Sequence, residues 1–412
     1  MQLVFLVLVF AVIVIMMNIK ITVKGKKQKM PLSLSILGGV LATVILYQIP
    51  PVRAAKLAAG AVISGDTIAL MAVTYFITFL QRMMEQKQHL RQAQRALSAI
   101  FNSRRVNATV APMLIGLLPS PAAAFIAGDI VNDACGDYLT VPEKATVTSY
   151  FRHISESCLP TYTSIILGLS LAGVATGNFL IGMLIPVIVL YLLGYFIYIR
   201  RVPKDTGVPK DGKPLKHWGE LFQALWSIIL IVALILAFGM PVWLAVLISV
   251  VLYFLINRLN PKSVVPYFRS AWEWNIQLNI ILVMVFKVML EESGAITLLP
   301  EAFQKLPLPL PISFALIFLV GTIIAGSNGI IAMCIPMAYA AIPDGGTALL
   351  ILLMCATYIA MQVSPVHVCL TVISQYFHTD FGAMVKKTIP MLVGFVIFLI
   401  PYYYLLTLIP NF

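Results

Sequence analysis

The chain has 412 residues, 60% of them hydrophobic and only 11% charged, with a mean hydropathy of +0.95. A soluble protein keeps roughly a quarter of its residues charged, so this composition excludes a soluble domain and fits a chain built into a bilayer. The net charge of +12 does not indicate nucleic acid, because the basic residues sit in short loops between apolar runs.

A crossing of the hydrocarbon core takes about 20 apolar residues. Residues 2–17 form the first such run, and lack the positive start and small-residue cleavage site of a secretory signal, so they read as a retained membrane helix. Crossings follow at 31–49 and 63–84. Residues 85–105 are rich in Gln, Arg and Lys, with Leu90, Ala93, Leu97 and Ile100 spaced along one face. They predict a helix lying on the cytoplasmic surface, or an ordinary solvated one.

Next, 106–131 is apolar but broken in the middle by Leu118-Pro119-Ser120-Pro121. Ser120 has the chemistry of an N-cap and Pro121 suits the first helical position, so this stretch predicts a hairpin that enters the membrane and leaves on the same side. Residues 143–176 form a long crossing interrupted at Pro160, and 178–199 another. Pro203, Gly207, Pro209, Gly212 and Pro214 mark 201–221 as a polar linker. Crossings resume at 222–239, 241–257 and 273–291. A second hairpin, 310–340, is broken at Gly326-Ser327-Asn328-Gly329, with Ser327 or Asn328 as cap. A second interrupted crossing, 347–376, carries Pro365, and 388–409 is the last.

The fold class is therefore all-α and polytopic, with about ten crossings and two re-entrant hairpins. The basic clusters at Lys20–Lys29, Arg82–Arg105, Arg200–Lys216, Arg258–Arg269 and Lys386–Lys387 then all fall on one side. That side is cytoplasmic by the positive-inside rule, which puts both termini outside a cytoplasmic (inner) membrane.

Landmarks recur at one spacing. Gly116 and Gly321, like Pro160 and Pro365, are 205 positions apart, and Met83 and Met289 are 206 apart. Two halves, 1–200 and 222–412, each with an odd number of crossings, predict inverted repeats with a binding site between them.

The candidate chemistry lies at the breaks. Each hairpin tip ends a helix at its positive end, which attracts an anion. Ser157, Pro160, Thr161, Gln362, Ser364 and Pro365 combine hydroxyl and amide groups with prolines that free backbone carbonyls, suited to Na⁺ or to polar parts of a substrate. Ionisable residues within spans are functional candidates. Arg152 and Glu156 are spaced to pair on one helix face, and His153 and His367 could carry a coupling proton. Asp129, Asp133 and Asp137 recur every fourth residue, an acidic face rather than a metal site. Four of the five cysteines fall in apolar or hairpin stretches and read as small buried thiols, without metal-ligand spacing.

Against an enzyme, there is no HExxH pair and no phosphate loop, and Ser64-Gly65-Asp66 is an isolated partial match to an aspartyl-protease turn. An intramembrane enzyme would have to use Asp66 or Glu156; it and a channel are the alternatives to a transporter.

Leu117-Leu118-Pro119-Ser120-Pro121-Ala-Ala-Ala, together with Phe151-Arg152-His153-Ile154-Ser155-Glu156 and the following Pro160, resembles an uncharacterised integral membrane family. It is the domain of unknown function numbered 401, similar to gluconate permeases and placed in the ion transporter superfamily. The resemblance implies symport of a small organic anion with Na⁺ or H⁺ without fixing which anion; the expectation adopted is a carboxylate, for instance a hydroxy acid such as gluconate. It implies a homodimer with an elevator mechanism and no cofactor beyond the coupling ion. By matching motif the resemblance implies contacts at Ser120, Pro121, Pro160, Thr161, Ser327, Asn328, Ser364 and Pro365. Taken with the chemistry of the breaks, the expected substrate contacts are Ser120, Pro121, Thr161, Ser327, Asn328, Gly329, Ser364 and His367, and the coupling ion falls to Ser157, Pro160, Gln362, Pro365, His153 and Glu156.

Overall fold

A backbone that leaves water has to satisfy its N–H and C=O groups within its own segment, and the apolar runs accordingly fold as helices. The computed structural model describes residues 2–23, 26–117, 121–207, 212–294, 308–365, 367–410 and 412. Among these are nineteen α-helices. The first ten are α1 Gln2–Asn18, α2 Leu32–Leu46, α3 Pro51–Val62, α4 Gly65–Gln86, α5 His89–Phe101, α6 Arg104–Ile115, α7 Pro121–Cys135, α8 Val141–Ile154, α9 Thr163–Ala172 and α10 Thr176–Ile197. The other nine are α11 Pro214–Phe238, α12 Val242–Ile256, α13 Pro261–Ala271, α14 Trp274–Glu292, α15 Leu310–Ala325, α16 Ser327–Ala341, α17 Gly346–Met361, α18 Val368–Tyr376 and α19 Phe381–Leu406. A short antiparallel strand pair, β1 Lys20–Val23 and β2 Lys26–Lys29, closes the basic loop after α1.

Among the described residues, six helices are long and apolar enough to cross a membrane: α4, α10, α11, α14, α19, and α17 with its preceding turn. The shorter α1, α2 and α12 are also apolar and fall on predicted crossings. The chain is thus a multi-pass membrane protein. Each interrupted crossing is two helices, α8 then α9 and α17 then α18, separated by non-helical residues around its proline.

Neither broken apolar stretch runs through as one helix. α6 packs along α7. α15 folds back on α16 at Gly326, whose φ of +78° suits glycine. A Cβ placed on Gly321 would lie 2.2 Å from Ile330 Cδ1, so that glycine lets the two arms close on each other.

Several details depart from the sequence reading. The 201–221 linker is helical from Pro214, which takes the first position of α11 and carries it out of the apolar zone. The apolar face of α5 is covered by protein: Ala93, Ala96 and Leu97 are buried and the helix packs along α11. Two short helices, α3 and α13, replace predicted loops, each with proline at its start. Asp137 lies in a 3₁₀ turn beyond the end of α7, so the three aspartates do not share one helix face.

The helices form two groups. In the first, α2 and α3 pack on α14, while α12 and α13 pack on α4. In the second, α6 and α15 pack on α8 and α17, α7 packs on α18, and α16 packs on α9. Helix α17 is its centre, with every residue from Thr347 to Met361 buried, which accounts for its all-round apolar sequence. The groups meet where α4 touches α9 and α14 touches α16.

Candidate functional site

The first break begins where α8 tightens into a 3₁₀ turn over Ser155–Ser157. Pro160 cannot supply the N–H that would carry the helix on, and helix resumes only at Thr163. The freed groups are held locally. Ser157 Oγ donates to the Ile154 carbonyl at 2.7 Å, and Ser155 Oγ to the Met113 carbonyl of α6 at 2.7 Å. Tyr162 Oη donates to the Gly116 carbonyl, pinning the break to the end of the first hairpin arm.

The second break follows the same plan. Helix stops at Met361, Pro365 follows, and helix restarts at Val368. Ser364 Oγ donates to the Ile323 carbonyl, at the end of the second hairpin's first arm, at 3.2 Å. In both halves a serine of the broken helix thus ties it to a hairpin.

At the second tip the N-cap is Gly326, with no side-chain cap bond, rather than Ser327 or Asn328. Those two residues occupy the first turn of α16, where their side chains are available to a ligand. At the first tip α7 begins at Pro121, in keeping with its reading as the first helical residue, while Ser120 lies outside the described residues.

Two cavities converge here. The larger, about 540 Å³, is walled by α4 (Thr74, Thr78, Gln81, Arg82), by Arg152, Glu156, Thr161 and Tyr162 of the first broken helix, and by Ser327 and Asn328. The smaller, about 380 Å³, is lined by Glu156, Thr322, Ser327, Asn328, Gly329, Ser364, His367 and Cys369 among others. Both are in the size range of small-molecule sites. Glu156, Ser327, Asn328 and Cys369 line both.

Of the predicted substrate contacts, Thr161, Ser327, Asn328, Gly329, Ser364 and His367 are therefore gathered around one pair of cavities. Of the predicted ion residues, only Glu156 lines them. Ser157 lines a separate small space beside Glu156. His153 sits behind the wall, its Nε2 2.9 Å from His367 Nε2. Gln362 accepts from Ser149 Oγ at 3.4 Å. Pro160 and Pro365 shape the backbone and line neither cavity. Asp66, invoked for an enzyme, is exposed at the start of α4 and also lines neither.

Arg152 does more than complement Glu156. It is fully buried, with Nη1 3.5 Å from Cys369 Sγ and 3.3 Å from His153 Nε2. Glu156 comes within 3.8 Å of His153 Nε2. The polar wall contributed by α4 was not anticipated, nor was the Arg82–Glu273 ion pair at 2.9 Å beside it. Both residues fall at the ends of predicted crossings, 63–84 and 273–291, and nothing in their local sequence pairs them. Five buried polar atoms of this region, Gln81 Nε2, Arg82 Nε, Thr161 Oγ1, Thr322 Oγ1 and Gln362 Nε2, have no hydrogen-bond partner among the described residues. All but Gln362 line the cavities, where a guest or water has to satisfy them.

Helical hairpins, broken helices and a polar cavity among buried helices define a multi-pass membrane protein with an internal polar site. The chain belongs to the family described as protein of unknown function (DUF401), which it matches over residues 2–406. It shares its fold with the YdaH transporter of Alcanivorax borkumensis at a TM-score of 0.51 and 13% identity, over 98% of this chain and 96% of that one. No curated protein is significantly similar in sequence.

Proposed function

We propose that this protein is a secondary active transporter that carries a small organic anion, a carboxylate or hydroxy acid, on a Na⁺ or H⁺ gradient. The observation that carries the reading is the convergence of both broken helices and the second hairpin tip on one cavity. Its walls hold the Arg152 guanidinium and the N-terminal turn of α16. A helix N-terminus is worth about half a positive charge, and together with a guanidinium it favours a carboxylate over a neutral guest. Glu156 supplies the opposite charge that a co-transported cation needs.

Two inverted repeats fit the packing. Exchanging α1–α4 with α11–α14, and α6–α10 with α15–α19, turns the α2–α14 contact into α12–α4 and α3–α14 into α13–α4. The same exchange turns α9–α16 into α18–α7 and α8–α19 into α17–α10, all of them contacts the fold makes. A polar cavity walled by α4 on one group and by the breaks on the other supports an elevator movement of the hairpin group against α1–α4 and α11–α14. The shared fold with a protein described as a transporter supports the same class. By the positive-inside rule, Arg82 and Glu85 mark the cytoplasmic end of the larger cavity, consistent with an inward-facing arrangement in the cytoplasmic membrane. The family resemblance adds a homodimer.

The test is uptake of labelled hydroxycarboxylates, gluconate first, into proteoliposomes under imposed Na⁺ or pH gradients. Gradient-dependent uptake is expected. Asn328→Ala should lower kcat/KM at least about tenfold, equivalent to about 1.4 kcal/mol, at unchanged Tm. Absence of uptake for every organic anion under both gradients would overturn the reading.

A further inference from the structure

A cluster of soft donors lies where the two broken helices cross. His153 comes from the first, and His367 and Cys369 flank the start of α18 in the second. Their donor atoms all lie within 4.8 Å of one another. We propose that His153, His367 and Cys369 form a binding site for a first-row divalent transition-metal ion such as Zn²⁺, with Glu156 as fourth donor.

The orientation of His153 carries the argument. Its Nδ1 is 2.6 Å from the Ser149 carbonyl oxygen, which can only accept, so Nδ1 bears the proton and Nε2 turns a lone pair toward the cluster. A backbone carbonyl behind a ligating imidazole is the usual outer support of a metal-bound histidine. His367 Nε2 faces it at 2.9 Å, and Glu156 Oε2 stands 3.8 Å from it. Tetrahedral Zn²⁺ with bonds of about 2.0–2.3 Å wants donors roughly 3.3–3.8 Å apart. The rings need to part by a few tenths of an ångström, and the sulfur to move in by somewhat more.

Two imidazoles, a thiolate and a carboxylate suit a borderline ion rather than Na⁺ or Mg²⁺. His367, Cys369 and Glu156 line the smaller cavity, which provides a route in. Arg152 is the competing cation, since Nη1 approaches His153 Nε2 at 3.3 Å. The metal replaces Nη1 as the partner of His153 Nε2, and Nη1 pivots to keep only its N–H···S contact to Cys369, supporting the thiolate from outside the coordination shell. Binding releases the Cys369 proton to solvent through the cavity.

The proposal stands apart from what is transported, and its test needs no uptake assay. Chelator-treated protein in detergent is titrated with Co²⁺, a spectroscopic stand-in for Zn²⁺. One equivalent should produce visible d–d bands and a near-ultraviolet thiolate-to-cobalt charge-transfer band. Cys369→Ser should lose the charge-transfer band, and His367→Gln should weaken Co²⁺ binding at least about tenfold. Zn²⁺ should raise the Tm of the natural protein and not that of His367→Gln. Size-exclusion profiles and apo Tm values show that the variants are folded. No charge-transfer band in the natural protein would overturn the site and leave the two rings sharing a proton. A spectrum unchanged by Cys369→Ser would overturn it equally.

Discussion

Gly116 shows how tightly single atoms are placed around the broken helix. Its φ of −60° is open to any residue, so the constraint is space alone. A Cβ there would lie 2.1 Å from the Arg152 carbonyl oxygen, which is backbone and cannot swing aside. Gly116→Ala should cost about 1–3 kcal/mol, read as a lowered Tm. Gly60→Ala in α3, where a Cβ meets nothing within 4 Å, should be neutral or gain about 0.5–1 kcal/mol. The unpartnered hydroxyls make the opposite case. Thr322 is fully buried, yet Oγ1 finds no partner among the described residues. Thr322→Val keeps the shape and removes a hydroxyl that costs about 1–3 kcal/mol to bury unpaired. The Tm should hold or rise while KM for uptake increases. A fall in Tm at constant KM would make the hydroxyl structural.

At the scale of elements, α5 joins α6 of the first hairpin to the first helix group. It packs along α11, and His89 Nδ1 lies 2.9 Å from Tyr253 Oη of α12. Burial, then the nearby Lys87 charge, lower the His89 pKa below its ordinary value near 6.5. The folded state therefore binds this proton less readily than the unfolded chain, and stability falls as pH drops below about 6.5 toward the lowered folded value. Tm measured from pH 8 to pH 5 should decline less for His89→Gln than for the natural protein. An identical slope would show that His89 is protonated equally in both states. The paired ties of Ser155 to Met113 and Ser364 to Ile323 belong to this scale as well, since each makes a hairpin and a broken helix one unit.

For the whole molecule, the proposed elevator requires α16 to move past α4. Thr78 of α4 and Asn328 of α16 line the same cavity. With the five natural cysteines replaced, joining Thr78→Cys to Asn328→Cys by a cleavable crosslinker should stop the uptake that the uncrosslinked double variant retains at saturating substrate, and reduction should restore that level. Uptake that survives a quantitative crosslink would rule out relative movement of these groups.

How much was legible follows from the range of the forces involved. A bilayer forces every crossing to be a run of apolar residues, and a helix can be broken there only by residues that refuse helical geometry. The multi-pass apolar helices and the places where helix is interrupted could therefore be read from composition and from Pro160, Pro365, Gly326 and Pro121. Short amphipathic elements were missed: α3 and α13, of 12 and 11 residues, carry Arg53 and Lys262 and looked like loops. The cavity wall on α4, the turn of Arg152 toward Cys369 and the meeting of His153 with His367 were beyond reach of the sequence. They join residues more than 200 positions apart, and such approaches are decided only when helix packs on helix. The sequence by itself determined where the chain crosses and where it breaks, because desolvation of the backbone acts locally. Tertiary packing alone decided which broken ends face one another, and with them the chemistry of the site.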